Sequence, residues 1–163
     1  MGITYKKFEP TEFVMKVKRG KTVQKGLGLS LFYNTMTTSM MVVPATAFDA
    51  SFAFDEIMTL DFQSISVQGD ISYVITDYEK ASQMVDFSYN GKKEYSAVLA
   101  SARQKMAKRI MNLTKVYVTK FIGNKNVRDA IRSADELAGT LKENMKNDET
   151  IREFGLELIS ISI

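Results

Sequence analysis

In the stretch SISVQGDISYVIT, Ser64 to Thr76, apolar and polar positions alternate over thirteen residues, and no other segment of the chain leaves so little choice of structure. Ile65, Val67, Gly69, Ile71, Tyr73 and Ile75 share one parity; Ser64, Ser66, Gln68, Asp70 and Ser72 share the other, followed by Val74 and Thr76. Successive side chains of an extended strand point to opposite faces, so this period of two predicts a long strand, dry on one side and wet on the other. The dry side must lie under another layer, and the wet side is left to solvent or a neighbour.

Other strands are predicted before it. Phe13, Met15 and Val17 alternate with Val14, Lys16 and Lys18, and Arg19-Gly20-Lys21 supplies a turn before Thr22–Lys25, which predicts a hairpin. Leu27 to Tyr33 is an apolar run, Met40–Val43 ends at Pro44, and Ala47–Phe54 alternates unevenly. Asp77 closes the strand as the expected N-cap of a short helix, Tyr78 to Val85, and from about Lys93 the period changes. Val98, Ala102, Met106, Ile110, Leu113 and Tyr117 recur at three and four residues, predicting a long helix from about Lys93 with one apolar stripe and a break at Gly123-Asn124. A shorter helix is expected over Val127–Ser133, and Ser133-Ala-Asp-Glu136 has the pattern of a capping box opening another. A last turn meets Gly155, and LELISISI closes the chain as a strand. The reading is a single α+β domain over residues 1–163, strand-rich over about 8–76 and helix-rich over about 77–163. Helices are expected on one face of a mainly antiparallel, twisted sheet.

Composition narrows the chemistry. The chain has no histidine, the commonest general acid or base, and no cysteine, so it has neither a thiolate site nor disulfides. No Ser-x-x-Lys stands where it could form a nucleophilic pair, and GLGLS (Gly26–Ser30) lacks the third glycine and following helix of a nucleotide loop. Asp49, Asp55, Glu56 and Asp61 do not follow the spacing of a calcium loop. No apolar run approaches the roughly 20 residues that cross a bilayer, so the piece is expected to be soluble.

The formal charge of +3 conceals segregation. Residues 1–25 hold seven basic groups and two acidic ones, residues 26–79 hold seven acids and no Lys or Arg, and residues 92–132 hold eleven basic groups against Glu94 and Asp129. Arg103, Lys105, Lys108, Arg109, Lys115 and Lys120 invite comparison with a nucleic-acid helix. They are expected to spread around the exposed circumference, with no aromatic stacking platform beside them, so nucleic acid is not an expected partner. The plainest expectation for all this charge is a solvated face with partners elsewhere in the fold.

Several of these signals fall in a familiar order. PTEFVMKVKRGKTVQKGLGLSLFY, TTSMMVVPATAFDASFAF and TLDFQSISVQGDISYVITDYEKA, with Phe121-Ile122-Gly123 and Phe154-Gly155-Leu156-Glu157 ahead of a strand, resemble an SPFH domain (band 7; stomatin, prohibitin, flotillin) over nearly all of residues 8–163. The likeness is to bacterial members more than to stomatin or flotillin. One departure is Asp77-Tyr78, where the family commonly has Asp-Pro.

That resemblance, and nothing else in the sequence, implies a non-enzymatic scaffold with no catalytic residues and no cofactor, associated with a membrane on its cytoplasmic side. It also implies assembly into homo-oligomeric rings or cages, with a membrane protease or another membrane protein among the partners. The family's membrane anchor and coiled coil are not expected in this piece, which stops abruptly on a strand. The basic residues Lys6, Lys7, Lys16, Lys18 and Arg19 become the candidate membrane-facing group, and Ser64, Ser66, Gln68, Asp70 and Ser72 the candidate subunit contact. A soluble peptide-binding adaptor using a free sheet edge is the alternative. An enzyme would need two acids converging in a concave pocket.

Overall fold

The computed structural model describes residues 2–163. Seven strands come first: β1 (Ile3–Lys7), β2 (Glu12–Lys18), β3 (Lys21–Leu27), β4 (Ser30–Asn34), β5 (Thr38–Pro44), β6 (Phe48–Met58) and β7 (Ser64–Ile75). The helices α1 (Tyr78–Met84), α2 (Lys92–Gly123), α3 (Val127–Ala130), α4 (Ala134–Lys146) and α5 (Glu149–Glu153) follow, and β8 (Leu156–Ser162) closes the chain. The fold is α+β with antiparallel pairing throughout, a long helix in the second half and a C-terminal strand, as the sequence predicts. The strands divide, however, into three sheets, β1-β4, β3-β2-β5 and β6-β7-β8, where one was expected.

The central sheet explains why Met40–Val43 does not alternate. Met40 and Val42 of β5 and Val14 of β2 face a cluster with Phe8, Leu31, Tyr89 and Tyr95. Val43 and Met15, from the other faces of the same strands, enter the main core. A strand covered on both sides reads as a continuous apolar run. The β2–β3 hairpin turns through Arg19 and Gly20, both at positive φ (52° and 76°), with Lys18 paired to Lys21. That is the backbone of a two-residue hairpin loop of the primed type.

The sheet β6-β7-β8 is a two-sided element. On β7, Val67, Ile71, Tyr73 and Ile75 are buried while Ser64, Ser66, Gln68 and Asp70 are exposed. β6 shows the same alternation through Phe48, Ala50 and Phe52, then bulges: Asp55 and Glu56 both stand opposite Ser66, and Ile57 resumes the inward side. The bulge extends the strand to Met58, past the uneven stretch that the sequence marks as its end.

The inner face of this sheet is covered by α2. Its buried line is Ala102, Met106, Ile110, Thr114, Val118 and Ile122, one residue in every four. Leu113 and Tyr117, predicted on this stripe, are half-buried at its margin. Thr114 takes the central place because its hydroxyl donates to the Ile110 carbonyl at 2.7 Å, which lets a polar residue sit in the core. α4 packs beside α2 through Leu137, Leu141 and Met145.

The helix ends bear out one cap and correct another. Asp77 accepts from the Lys80 N–H at 3.1 Å and so caps α1. Ser133 makes no such bond to α4; its buried hydroxyl donates backward to the Ala130 carbonyl at 2.7 Å, so the capping box does not form. α3 is shorter than predicted and ends at Ala130.

Candidate interaction surfaces

The outer face of β6-β7-β8 is a ladder of serines and aspartates. Ser72 donates to Asp49 at 2.5 Å, Ser51 to Asp70 at 2.5 Å and Ser66 to Asp55 at 2.8 Å, each across the β6–β7 pairing. On β8, Ser160 and Ser162 pair with Ser72 and Asp70, and Glu157 with Val74, so they share that face. Neutral hydroxyls hold the carboxylates in place without neutralising them. No Lys or Arg lies on these three strands, so the face is ordered, hydrophilic and anionic. Of the predicted contact residues, Ser64, Ser66, Gln68 and Asp70 are exposed and Ser72 is half-buried.

The predicted membrane-facing cations are less uniform. Lys7 is exposed at the end of β1, and Lys18 and Arg19 are exposed at the β2–β3 turn. Lys16 is half-buried and donates its Nζ to the Phe32 carbonyl at 3.0 Å, tying the central sheet to β4. Lys6 is half-buried, with its Nζ 5.8 Å from the centre of the Phe8 ring. Three of the five are therefore free to meet a surface, and two are engaged in the fold.

Sequence reading misses the apolar face that accompanies them. Tyr5 of β1 pairs with Phe32 of β4, their ring centres lie 4.9 Å apart, and Ile3, Tyr5 and Phe32 are 77%, 54% and 65% exposed. Lys7 follows Ile3 and Tyr5 on the same parity, giving a small ribbon face of two aromatics, an isoleucine and a lysine. The signal is present as Ile3-x-Tyr5, but alternation whose apolar members face outward gives no core to recognise it by.

The basic residues of α2 are more ordered than expected. Lys105, Lys108, Arg109 and Asn112 stand at i, i+3, i+4 and i+7, and they line one cleft of about 500 Å³ whose other wall is Met84, Val85 and Phe154. Arg103, which lies over the Phe48 ring, and Lys115 and Lys120 stand outside this cleft, so the expected spread around the helix holds for those three. Among the described residues the ion pairs are Lys25–Glu79 and Lys125–Glu136 (3.3 Å), and neither includes a residue of α2. The expected solvated face with partners elsewhere in the fold is met in part. The basic side chains of α2 are exposed and form no salt bridge among the described residues, while Lys25 finds Glu79 and Lys125 finds Glu136.

The titratable groups that hydrogen bonds and burial shift are two aspartates and several tyrosines. The Thr59 hydroxyl, donating to Asp61 at 2.6 Å, and the Val127 N–H hold that carboxyl below its usual range, and Ser88 does the same for Asp86. Burial pushes Tyr73 up to about 12 and raises Tyr95, whose hydroxyl donates to the Val42 carbonyl at 2.8 Å. Both directions lead away from pH 7, where a general base would have to sit. The clustered acids of the sequence are also dispersed: Asp49 and Asp55 lie on the sheet face, Glu56 in the bulge, and Asp61 in the β6–β7 loop, where it accepts from Val127 at 3.0 Å. Among the described residues, no three acids are placed to hold a metal ion.

The profile of the SPFH domain / Band 7 family matches residues 6–163, and the chain belongs to that family. Its members are generally membrane-associated scaffolds without catalytic activity. A search of curated proteins finds no significant match. No helix among the described residues is long and apolar enough to cross a membrane.

Proposed function

We propose that this chain is the non-catalytic scaffold domain of a membrane-associated homo-oligomer that organises a membrane or its partner proteins. The observation that carries the reading is the polarity of the molecule: an anionic Ser/Asp face on the sheet and a cationic helix, neither engaged in an ion pair among the described residues. Such surfaces recognise and position; they do not transfer protons or electrons. A membrane protease or another membrane protein is the kind of partner such a scaffold would hold, on the cytoplasmic side of the bilayer. No cofactor or nucleic acid enters the proposal.

For the membrane side, the β1–β4 ribbon offers exposed Ile3, Tyr5, Lys7 and Phe32, and the β2–β3 turn offers exposed Lys18 and Arg19. Aromatic rings favour the headgroup region, and each basic group near an anionic bilayer contributes about 1 kcal/mol. The adaptor alternative needs an open strand edge. β3 is one such edge, but it carries Lys21 and Lys25, and lysines on an edge discourage strand addition.

Co-sedimentation with lipid vesicles, prepared with and without an anionic lipid, tests the membrane half. Binding is expected to anionic vesicles at low salt, and Lys7→Glu/Lys18→Glu/Arg19→Glu should weaken it by roughly a hundredfold. Absence of binding at low salt, or binding indifferent to those charges, would assign the membrane contact to another part of the protein.

A further inference from the structure

We infer that the acidic outer face of β6-β7-β8 in one copy docks on the basic outer side of α2 in the next, giving a directional, head-to-tail contact. This rests on the scaffold reading above and names the surfaces through which copies meet.

The two faces lie on opposite sides of one layered stack. Val67, Ile71 and Tyr73 of β7 share a core with Met106, Ile110, Val118 and Ile122 of α2, so α2 covers the inner side of the sheet. Arg103 lies against Phe48 of that sheet, while Lys105, Lys108 and Arg109 are exposed. On the far side of the sheet stand Asp49, Asp55, Asp70 and Glu157. Stacking copies in one orientation therefore brings opposite charges together.

Among the described residues the charges of these two faces form no salt bridges, and Lys105 lies within electrostatic reach of Asp86. α2 carries Lys92, Lys93, Arg103, Lys105, Lys108, Arg109, Lys115 and Lys120 against Glu94 alone, and no ion pair among the described residues reaches any of them. Neighbouring α4 is nearly balanced, with Asp135, Glu136 and Glu143 against Lys142 and Lys146, so the cationic character belongs to α2. Lys105, Lys108 and Arg109 crowd like charge at i, i+3 and i+4, an arrangement that costs stability until an anion arrives. Aspartates 49, 55 and 70 are held by serine hydroxyls in fixed positions, which lowers the cost of ordering them against a partner.

The symmetry also follows from charge. A two-fold dimer sets the same patch of each copy against itself, which here means acid on acid or base on base. Like charges face to face cost several kcal/mol. Opposite faces instead give a heterologous contact, which closes into a ring or extends as a row according to the rotation between copies.

The test is a charge exchange followed by sedimentation velocity over a concentration series. Variant one carries Lys105→Glu/Lys108→Glu/Arg109→Glu; variant two carries Asp49→Lys/Asp55→Lys/Asp70→Lys. Wild type should self-associate at low salt and shift towards monomer at about 1 M salt, where the screening length falls to roughly 3 Å. Each variant alone should lose self-association by about tenfold or more, because its two faces now carry the same sign. Mixed one to one, the variants should associate again, since each supplies the face the other lacks.

A mixture no more associated than its components overturns the inference. If wild type associates while both variants do so equally well, copies meet through other faces and only the assignment fails. If wild type stays monomeric at every concentration and low salt, the docking is wrong, while the vesicle experiment still decides the membrane half of the proposed function. Should a reversed variant not fold by circular dichroism, Lys105→Gln/Lys108→Gln/Arg109→Gln and Asp49→Asn/Asp55→Asn/Asp70→Asn replace them. Each neutral set should weaken wild-type association by about tenfold, and an unchanged constant contradicts the inference.

Discussion

Gly155→Ala is expected to lower the unfolding free energy by about 3 kcal/mol, from a left-handed backbone combined with a steric clash. Gly155 joins α5 to β8 at φ +66°, and a Cβ there would stand 2.3 Å from the carbonyl oxygen of Asp77. The same glycine's carbonyl accepts from the N–H groups of Thr76 (2.8 Å) and Asp77 (3.1 Å), so it also anchors the exit of β7. Neither backbone can withdraw without breaking that junction. Gly139→Ala is the control: it lies inside α4 with nothing within 4 Å of a new Cβ, and should gain up to about 1 kcal/mol from helix propensity. Denaturant midpoints at unchanged slope read both. Equal stability of Gly155→Ala and wild type would mean that the junction yields without cost.

Phe48→Ala should cost about 4 kcal/mol, the middle of the range for a buried aromatic truncated in a core. Phe48 is 2% exposed at the start of β6 and stacks on Tyr73, its partner on β7, with ring centres 5.6 Å apart. The Arg103 guanidinium lies 4.7 Å from its ring centre, so one residue braces the sheet and seats a cation of α2. Arg103→Gln alone should cost only about 0.5–1 kcal/mol, the size of a cation–π contact at a partly solvated site. In the Phe48→Ala background the same change should cost almost nothing. A full and independent Arg103 penalty there would show that the guanidinium owes its place to other contacts.

How much of this is legible in the chain depends on where the apolar side chains point. β7 can be read because one face is buried from Val67 to Ile75, and a single dry face leaves a period of two. β5 is visible only as a run, since its two faces serve two clusters. β1 escapes sequence reading: Ile3 and Tyr5 alternate, but outward. The division into three sheets leaves no mark in local periodicity, because pairing partners are chosen across the chain.

The helices teach the same lesson. The α2 stripe reads through Leu113 and Tyr117 when threonine is counted as polar, yet Thr114 is fully buried once its hydroxyl is bonded within the helix. Ser133 carries a capping pattern that its own backward bond to Ala130 overrides. The segregation of charge, by contrast, stands in the sequence in full. What the sequence lacks is the third dimension: α2 covers the inner side of the acidic sheet, and Lys105, Lys108 and Arg109 line one cleft. Only the fold shows that two oppositely charged stretches of chain become the opposed sides of one stack.

Disulfide trapping between copies tests that polarity most directly, because the chain has no cysteine of its own. Gln68→Cys places a thiol on the acidic sheet face and Asn112→Cys places one in the basic cleft, and neither substitution removes a charge. Mixed under mild oxidation, the two chains are predicted to form the Gln68→Cys to Asn112→Cys bond in clear excess over either like-with-like bond, and salt should suppress it. A preference for like-with-like bonds, or no trapping above the level of random collision, would contradict the account.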